Sequence, residues 1–153
     1  MRLETTDSPL PPVGALLRRP EVIVRHAVMA ALHEAGFDDV LPAHLGVFQH
    51  PGPDGQRPGV LATRTNASKQ AMNHLLHQLE AGGYITRESH PDDRRTRVVR
   101  LTDRGWAALA VIRQTMARLE REWHRALGED TYTGLALALD RLQDVLEAQG
   151  TRR

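Results

Sequence analysis

No cysteine occurs anywhere in the 153 residues. Disulfides, thiolate metal sites and cysteine-based redox sensing are therefore excluded, and a reducing, cytoplasmic setting is the expectation. No apolar run approaches the roughly 18 residues that a membrane-spanning helix needs. The opening stretch MRLETTDSPLPPVG also lacks an apolar signal core. A soluble chain with no membrane partner is expected. Aromatics are scarce, with two each of Trp, Tyr and Phe, so the core has to be built mainly from Leu, Val, Ala and Met. Catalytic patterns are missing as well. There is no Gly-rich phosphate loop, no G-x-S-x-G and no metal triad. His74 and His77 stand three apart, but no third ligand accompanies them in the sequence. Asp92 and Asp93, adjacent on an extended segment, point to opposite sides and make a poor acid/base pair. No metal, no cofactor and no enzymatic activity are expected.

The chain has one domain's length, or one domain plus a helical extension. Its net charge is only +1, but the charge is unevenly placed. From Arg57 to Arg104 there are nine basic and five acidic residues, so this segment is +4 and the remainder is −3. A basic centre between acidic flanks points to a polyanion met by the middle of the chain.

Residues 1–12 carry three prolines and read as a flexible arm. A helix is expected from about Val13 to Ala35, with Val24, Ala27, Val28, Ala31 and Ala35 on one stripe and Pro20 either kinking or restarting it. A short apolar helix follows at about Val40–Gln49. The run PGPDGQRPG (51–59) reads as a loop. A brief helix spans about Pro58–Arg64, and the next runs to about Ala81, with Asn66 and Ser68 as candidate N-caps and Gly82-Gly83 as the stop. Tyr84–Ser89 and Thr96–Leu101 suit strands, which makes SHPDDRRTR the charged connection of a hairpin. Thr102 caps a long helix whose Leu109, Ile112, Met116, Leu119, Trp123 and Leu127 step by three or four. A last helix starts near Asp130, with Tyr132, Leu135, Leu139, Leu142 and Leu146 in the same rhythm. A helix-turn-helix followed by a hairpin is a winged helix. The outer helices carry apolar seams that so small a lobe cannot easily bury, which suggests a second chain. The fold class is mainly α with a small two- or three-stranded wing.

On the helix before the hairpin, successive residues are 100° apart. Ala71, Met72, Leu75, Leu76 and Leu79 then form the core face. Lys69, Gln70, Asn73, His74 and His77 gather opposite, with no acid until Glu80. Gln and Asn can bond adenine bidentately, Lys can reach guanine or phosphate, and Ser68 with the free amides of the first turn suits a phosphate. Arg57 and Arg64 are further candidates for phosphate contact. In the hairpin, Arg94, Arg95 and Arg97 can lie along a duplex, where the narrow minor groove admits an extended arginine but no helix. Asp93, two residues before Arg95, can orient that arginine through a bidentate pair. Which of Arg94 and Arg95 enters a groove is open from the residues alone.

The stretch LEAGGYITRESHPDDRRTRVVRLTDRG resembles the winged-helix signature of the MarR family (multiple antibiotic resistance regulators). The matching elements are LE-x-x-G-Y-I-x-R, then D-R-R, then V-x-L-T-x-x-G. SKQAMNHLLHQLE resembles that family's recognition helix. Close resemblance covers about residues 58–105, and the Pro/Gly-rich loop at 51–59 departs from the family's usual connection. The resemblance implies a homodimer on near-palindromic double-stranded DNA, with a recognition helix in each major groove and a wing in each minor groove. It implies that Arg95 is the inserted wing residue, with Asp93 its partner. It implies a repressor released by a small aromatic or anionic effector. The implied organisation is an N-terminal dimerisation helix (13–36), a DNA-binding lobe (37–103) and C-terminal dimerisation helices (104–150). Leu109, Ile112, Met116, Leu119, Trp123, Leu135, Leu139, Leu142 and Leu146 are the expected interface. The alternative is a winged helix used as a protein-interaction module without specific DNA binding.

Overall fold

The computed structural model describes residues 10–49, 55–90 and 93–150, with the side chains of 90 and 93–96 outside the described set. Most of the expected N-terminal arm, positions 51–54 of the Pro/Gly-rich loop, and Pro91 and Asp92 lie outside the described residues. The chain divides into two compact units, Met1–Thr115 and Met116–Arg153. Among the described residues no helix is long and apolar enough to cross a membrane.

In the first unit, α1 (Val13–Glu34) runs unbroken through Pro20. Val28 and Leu32 are its buried residues. Val24, Ala27 and Ala31 are half-buried, whereas Ala35, expected on the same stripe, is the exposed C-cap. The single short helix expected at 40–49 is instead a 3-10 turn (Pro42–His44) followed by α2 (Leu45–Phe48). Pro42 sits at the start of that turn, where its pre-set φ favours a helical start and its missing N–H costs nothing. The next two helices, α3 (Pro58–Arg64) and α4 (Lys69–Ala81), follow the expected bounds. Ser68 is the N-cap of α4, its Oγ accepting from the Ala71 amide at 3.1 Å. Asn66, the other candidate, takes a left-handed φ of 52° in the turn between them.

The end of α4 explains the sequence GGY. The Tyr84 amide donates to Leu79 O and the Gly83 amide to Glu80 O, which closes the helix with a left-handed residue. Gly83 supplies it, with φ +74°. Gly82 is glycine for a different reason, since a Cβ there would lie 2.9 Å from the Tyr84 ring and from Asp39 Oδ2.

The hairpin pairs β1 (Ile85–His90) with β2 (Asp93–Leu101) antiparallel. The strands therefore run through most of SHPDDRRTR, which was expected to be a connection. Strand pairing is made by the backbone, so a polar sequence does not prevent it. The register is regular from Ile85↔Leu101 to Ser89↔Arg97, then shifts so that His90 pairs with Asp93. Three residues of β2, 94–96, are left over by that shift. Gln56 adds a single bridge on the other side of β2, exchanging both amide hydrogen bonds with Val99 at 2.9 and 2.8 Å.

Tyr84 is 1 % exposed and sits at the root of this hairpin. The rings of Phe37 and Phe48 stand 6.1 and 6.0 Å from it. Its hydroxyl donates to Asp39 Oδ1, and Arg104 Nη2 donates to that hydroxyl at 3.0 Å and to the Asp39 carboxylate at 3.1 Å. The Arg104 guanidinium also lies 4.7 Å from the centre of the Tyr84 ring. From the other side, Thr102 Oγ1 donates to Gly83 O at 2.6 Å, and the Thr102 amide donates to Tyr84 O at 3.0 Å. Thr102 also accepts from the Gly105 amide at 3.1 Å, capping α5 (Asp103–Leu127) as expected. Gly105 has no room for a side chain, because a Cβ would come within 2.1 Å of Tyr84 O.

The second unit comprises the end of α5 and α6 (Glu129–Gly150). Gly128, with φ +78°, makes the turn between them. His124 reaches across it to Glu129 at 2.6 Å and to the edge of the Tyr132 ring, 5.1 Å between centres.

Replacing Tyr84 by Phe keeps the ring and removes the hydroxyl between Asp39 and Arg104. A loss of about 1–2 kcal/mol in denaturant unfolding is expected. The Asp39 carboxyl is held below the usual range chiefly by the hydrogen bond from Tyr84, helped by its own amide and by Arg104, against the opposing effect of burial. A depressed folded value means that this contribution is present above the unfolded value and is lost as pH falls through the folded one. Unfolding measured below about pH 4 should therefore show a shallower acid dependence for Asp39→Asn than for the wild type.

Candidate nucleic-acid interface

The polar face of α4 is presented to solvent. Lys69, Gln70, Asn73, His74 and His77 are all exposed, as is the cap Ser68. Met72, Leu76 and Leu79 are buried on the opposite face and Leu75 is half-buried. Ala71 was expected with them and is exposed instead. At 100° per residue it lies about a quarter turn from the line of Met72, Leu76 and Leu79, at the edge of the stripe.

Two residues beneath this helix were not singled out from the sequence. His44 is buried, with Nδ1 accepting from the Leu41 amide at 3.0 Å and Nε2 placed 3.0 Å from Gln78 Oε1. Because Nδ1 accepts, Nε2 carries the proton and donates to Gln78, so the 3-10 turn is bonded to α4. Arg87 on β1 also touches α4, through the Asn73 carbonyl at 3.3 Å and Glu80 Oε2 at 3.3 Å. The strand alternation carried a signal for Arg87, since it lies on the same face of β1 as the buried Ile85.

In the wing, Arg97 is exposed. The backbone of Asp93, Arg94 and Arg95 belongs to β2, but their side chains lie outside the described residues. Arg100 pairs with Glu88 at 3.3 Å. Arg57 is the N-cap of α3 and Arg64 is in its last turn, both exposed. Thus α3, α4 and the hairpin lie in one unit, with an exposed polar helix face directly preceding a basic two-stranded wing.

The model of the MarR family matches residues 49–96. An HTH-type transcriptional repressor of Mycobacterium tuberculosis is 32% identical over 128 residues, covering 76% of this chain and 91% of the relative. The chain belongs to the MarR family. It is a sequence-specific DNA-binding transcriptional regulator of that family. Solved structures agree with the architecture. FabT of Streptococcus pneumoniae, solved in complex with DNA, superposes with a TM-score of 0.77 at 17% identity, over 90% of this chain and 96% of that one. CouR of Rhodococcus jostii, solved bound to p-coumaroyl-CoA, superposes with a TM-score of 0.73 at 21% identity, over 90% and 95%.

The residues expected at a dimer interface fall into two groups. Leu109 and Leu119 are 3% and 6% exposed within the chain itself. Both are buried before any partner is added. Ile112, Met116, Trp123, Leu139 and Leu142 are half-buried, while Leu135 and Leu146 are exposed. Trp106 and His26 are exposed, and His33 is exposed and paired with Asp38.

Ser68 holds the first turn of α4 with one hydrogen bond. Ser68→Ala should lower stability by about 1 kcal/mol in denaturant unfolding while leaving the helix bounds unchanged by NMR chemical shifts.

Proposed function

We propose that this MarR-family chain is a homodimeric repressor that binds a near-palindromic operator and is released by a small aromatic or anionic ligand. The observation that carries the DNA-contact assignment is the exposed face of Lys69, Gln70, Asn73, His74 and His77, with no acid before Glu80 and followed at once by the wing. Ser68, Arg57 and Arg64 contact phosphate in this reading. Arg94, Arg95 and Arg97 serve the wing, Arg95 entering the minor groove with Asp93 orienting it. A dimer is supported by apolar side chains that the chain leaves uncovered. These are Val13, Leu16, Leu17 and Ile23 on α1, and Leu135, Leu137, Val145 and Leu146 on α6. Helices 13–36 and 104–150 are accordingly assigned to dimerisation and 37–103 to the DNA-binding lobe. Repression follows the mycobacterial relative, named as a repressor. The ligand class follows CouR, whose p-coumaroyl-CoA is both aromatic and anionic.

The test is to select genomic fragments with the purified protein and titrate the enriched duplex by gel shift at several salt concentrations. If a dimer neutralises roughly eight phosphates, the log–log slope is about −7. Arg95→Ala should weaken binding strongly, and Gln70→Ala or Asn73→Ala should change which bases are preferred. No enrichment and a flat salt response would point instead to a winged helix used for protein interaction. Unchanged operator affinity for Arg95→Ala would remove Arg95 from the groove.

A further inference from the structure

Arg87 is a basic residue of the wing that is turned away from solvent. It follows Ile85 on the inner face of β1, and only 15% of its side chain is exposed. Its Nη2 donates to the backbone carbonyl of Asn73 at 3.3 Å. Its Nε is 3.3 Å from Glu80 Oε2, an ion pair off the line of a hydrogen bond, and this buried N–H has no acceptor. The two partners are two turns apart on α4. They meet at one guanidinium because helix carbonyls point toward the C-terminus while side chains lean toward the N-terminus. An arginine meant for a phosphate would project its planar fork outward. Here the fork is spent on the helix that carries Asn73, directly beneath the face assigned to the bases.

We propose that Arg87 is a positioning residue for DNA recognition. It locks β1 to α4, so that wing and recognition helix approach the duplex at a fixed spacing, and it contacts no phosphate itself. Glu80 is its partner in this role. That gives a purpose to the one acid of α4, which would otherwise only repel the DNA backbone. The inference rests on the reading of α4 and the hairpin as the DNA surface.

The two possible roles of Arg87 separate in a salt titration. Losing a phosphate contact flattens the log–log slope by about 0.9 for each phosphate released, whereas losing a positioning contact lowers affinity at unchanged slope. The duplex enriched by the wild-type protein is titrated with Arg87→Met, Arg87→Lys, Glu80→Ala and the Arg87→Met/Glu80→Ala double variant. The folded fraction of each is fixed by circular dichroism melting. The expected result for Arg87→Met is an affinity loss of about tenfold or more with the slope retained, together with relaxed preference at the bases that Asn73→Ala also relaxes. Arg87→Lys keeps the charge but lacks the fork, and it should not restore affinity. Glu80→Ala removes a negative charge near the DNA and raises helix propensity, yet should weaken binding; the double variant should lose no more than Arg87→Met alone. A flattened slope for Arg87→Met, recovery in Arg87→Lys, or tighter binding by Glu80→Ala would overturn the assignment. So would wild-type affinity and base preference in the folded Arg87→Met protein. Failure of the wild-type protein to enrich any duplex is visible without the variants, and it would overturn the DNA reading and this assignment together.

Discussion

The Tyr84 hydroxyl lies between the Asp39 carboxylate and the Arg104 guanidinium, and four parts of the first unit converge on that ring. Asp39 comes from the connection between α1 and the 3-10 turn, Tyr84 from the junction of α4 and β1, Arg104 from the first turn of α5, and Phe48 from α2. A buried tyrosine needs a partner for its hydroxyl, because a lost hydrogen bond there leaves a polar group stranded. Here the partner is a carboxylate that is itself held by an arginine. Three of the chain's six aromatic residues are gathered at this point. The surrounding sequence then follows from space and geometry. Gly83 provides the left-handed turn, Gly82 and Gly105 leave room for the ring and its carbonyl, and Thr102 ties the start of α5 to the end of α4. The elements L-E-x-x-G-Y and L-T-x-x-G are the two sides of one packed joint.

This joint also changes how the central charge should be counted. The +4 of the segment from Arg57 to Arg104 suggests nine cations facing a polyanion. Among the described residues three of them are engaged inside the unit: Arg87 with Glu80, Arg100 with Glu88, and Arg104 with Asp39. Of these, Arg87 is the most enclosed, so its charge contributes structure more than field. Among the described residues, Arg57, Arg64 and Lys69 are exposed cations of the helix-turn-helix, and Arg97 is exposed on the wing. Net charge sets the sign of the long-range attraction, but the geometry decides which arginines can spend their donors on DNA.

Much of the fold could be read from the chain because its signals are local. Pro58 opens α3 and Ser68 caps α4, and both helices have the bounds that these residues imply. The buried stripe of Met72, Leu76 and Leu79 follows from helical spacing. The hairpin is legible in the chain, but β2 starts three residues earlier than its apolar pattern implies. Side-chain polarity suggests a connection, while the backbone of 93–96 remains in β2. The shift of register that leaves 94–96 over on that strand has no marker in composition. The α2 region differs from expectation for a related reason, as apolar content fits one helix or a 3-10 turn with a helix equally well.

The candidate site divides along the same line. That Lys69, Gln70, Asn73, His74 and His77 face outward follows from periodicity alone. That Arg87 reaches the Asn73 carbonyl, or that His44 reaches Gln78, depends on chain segments 14 and 34 residues apart meeting in space. No single-sequence pattern encodes such pairs. The outer helices show the limit from the other side. Spacing by three and four placed Leu109 and Leu119 on one seam with Ile112, Met116 and Trp123. It marks an apolar face, but it is silent on what covers that face. Leu109 and Leu119 are covered by their own chain, whereas Leu135 and Leu146 keep about half their surface open. An apolar stripe therefore becomes evidence for a partner only after the residues satisfied within the chain have been subtracted, and on α6 a substantial remainder survives that subtraction.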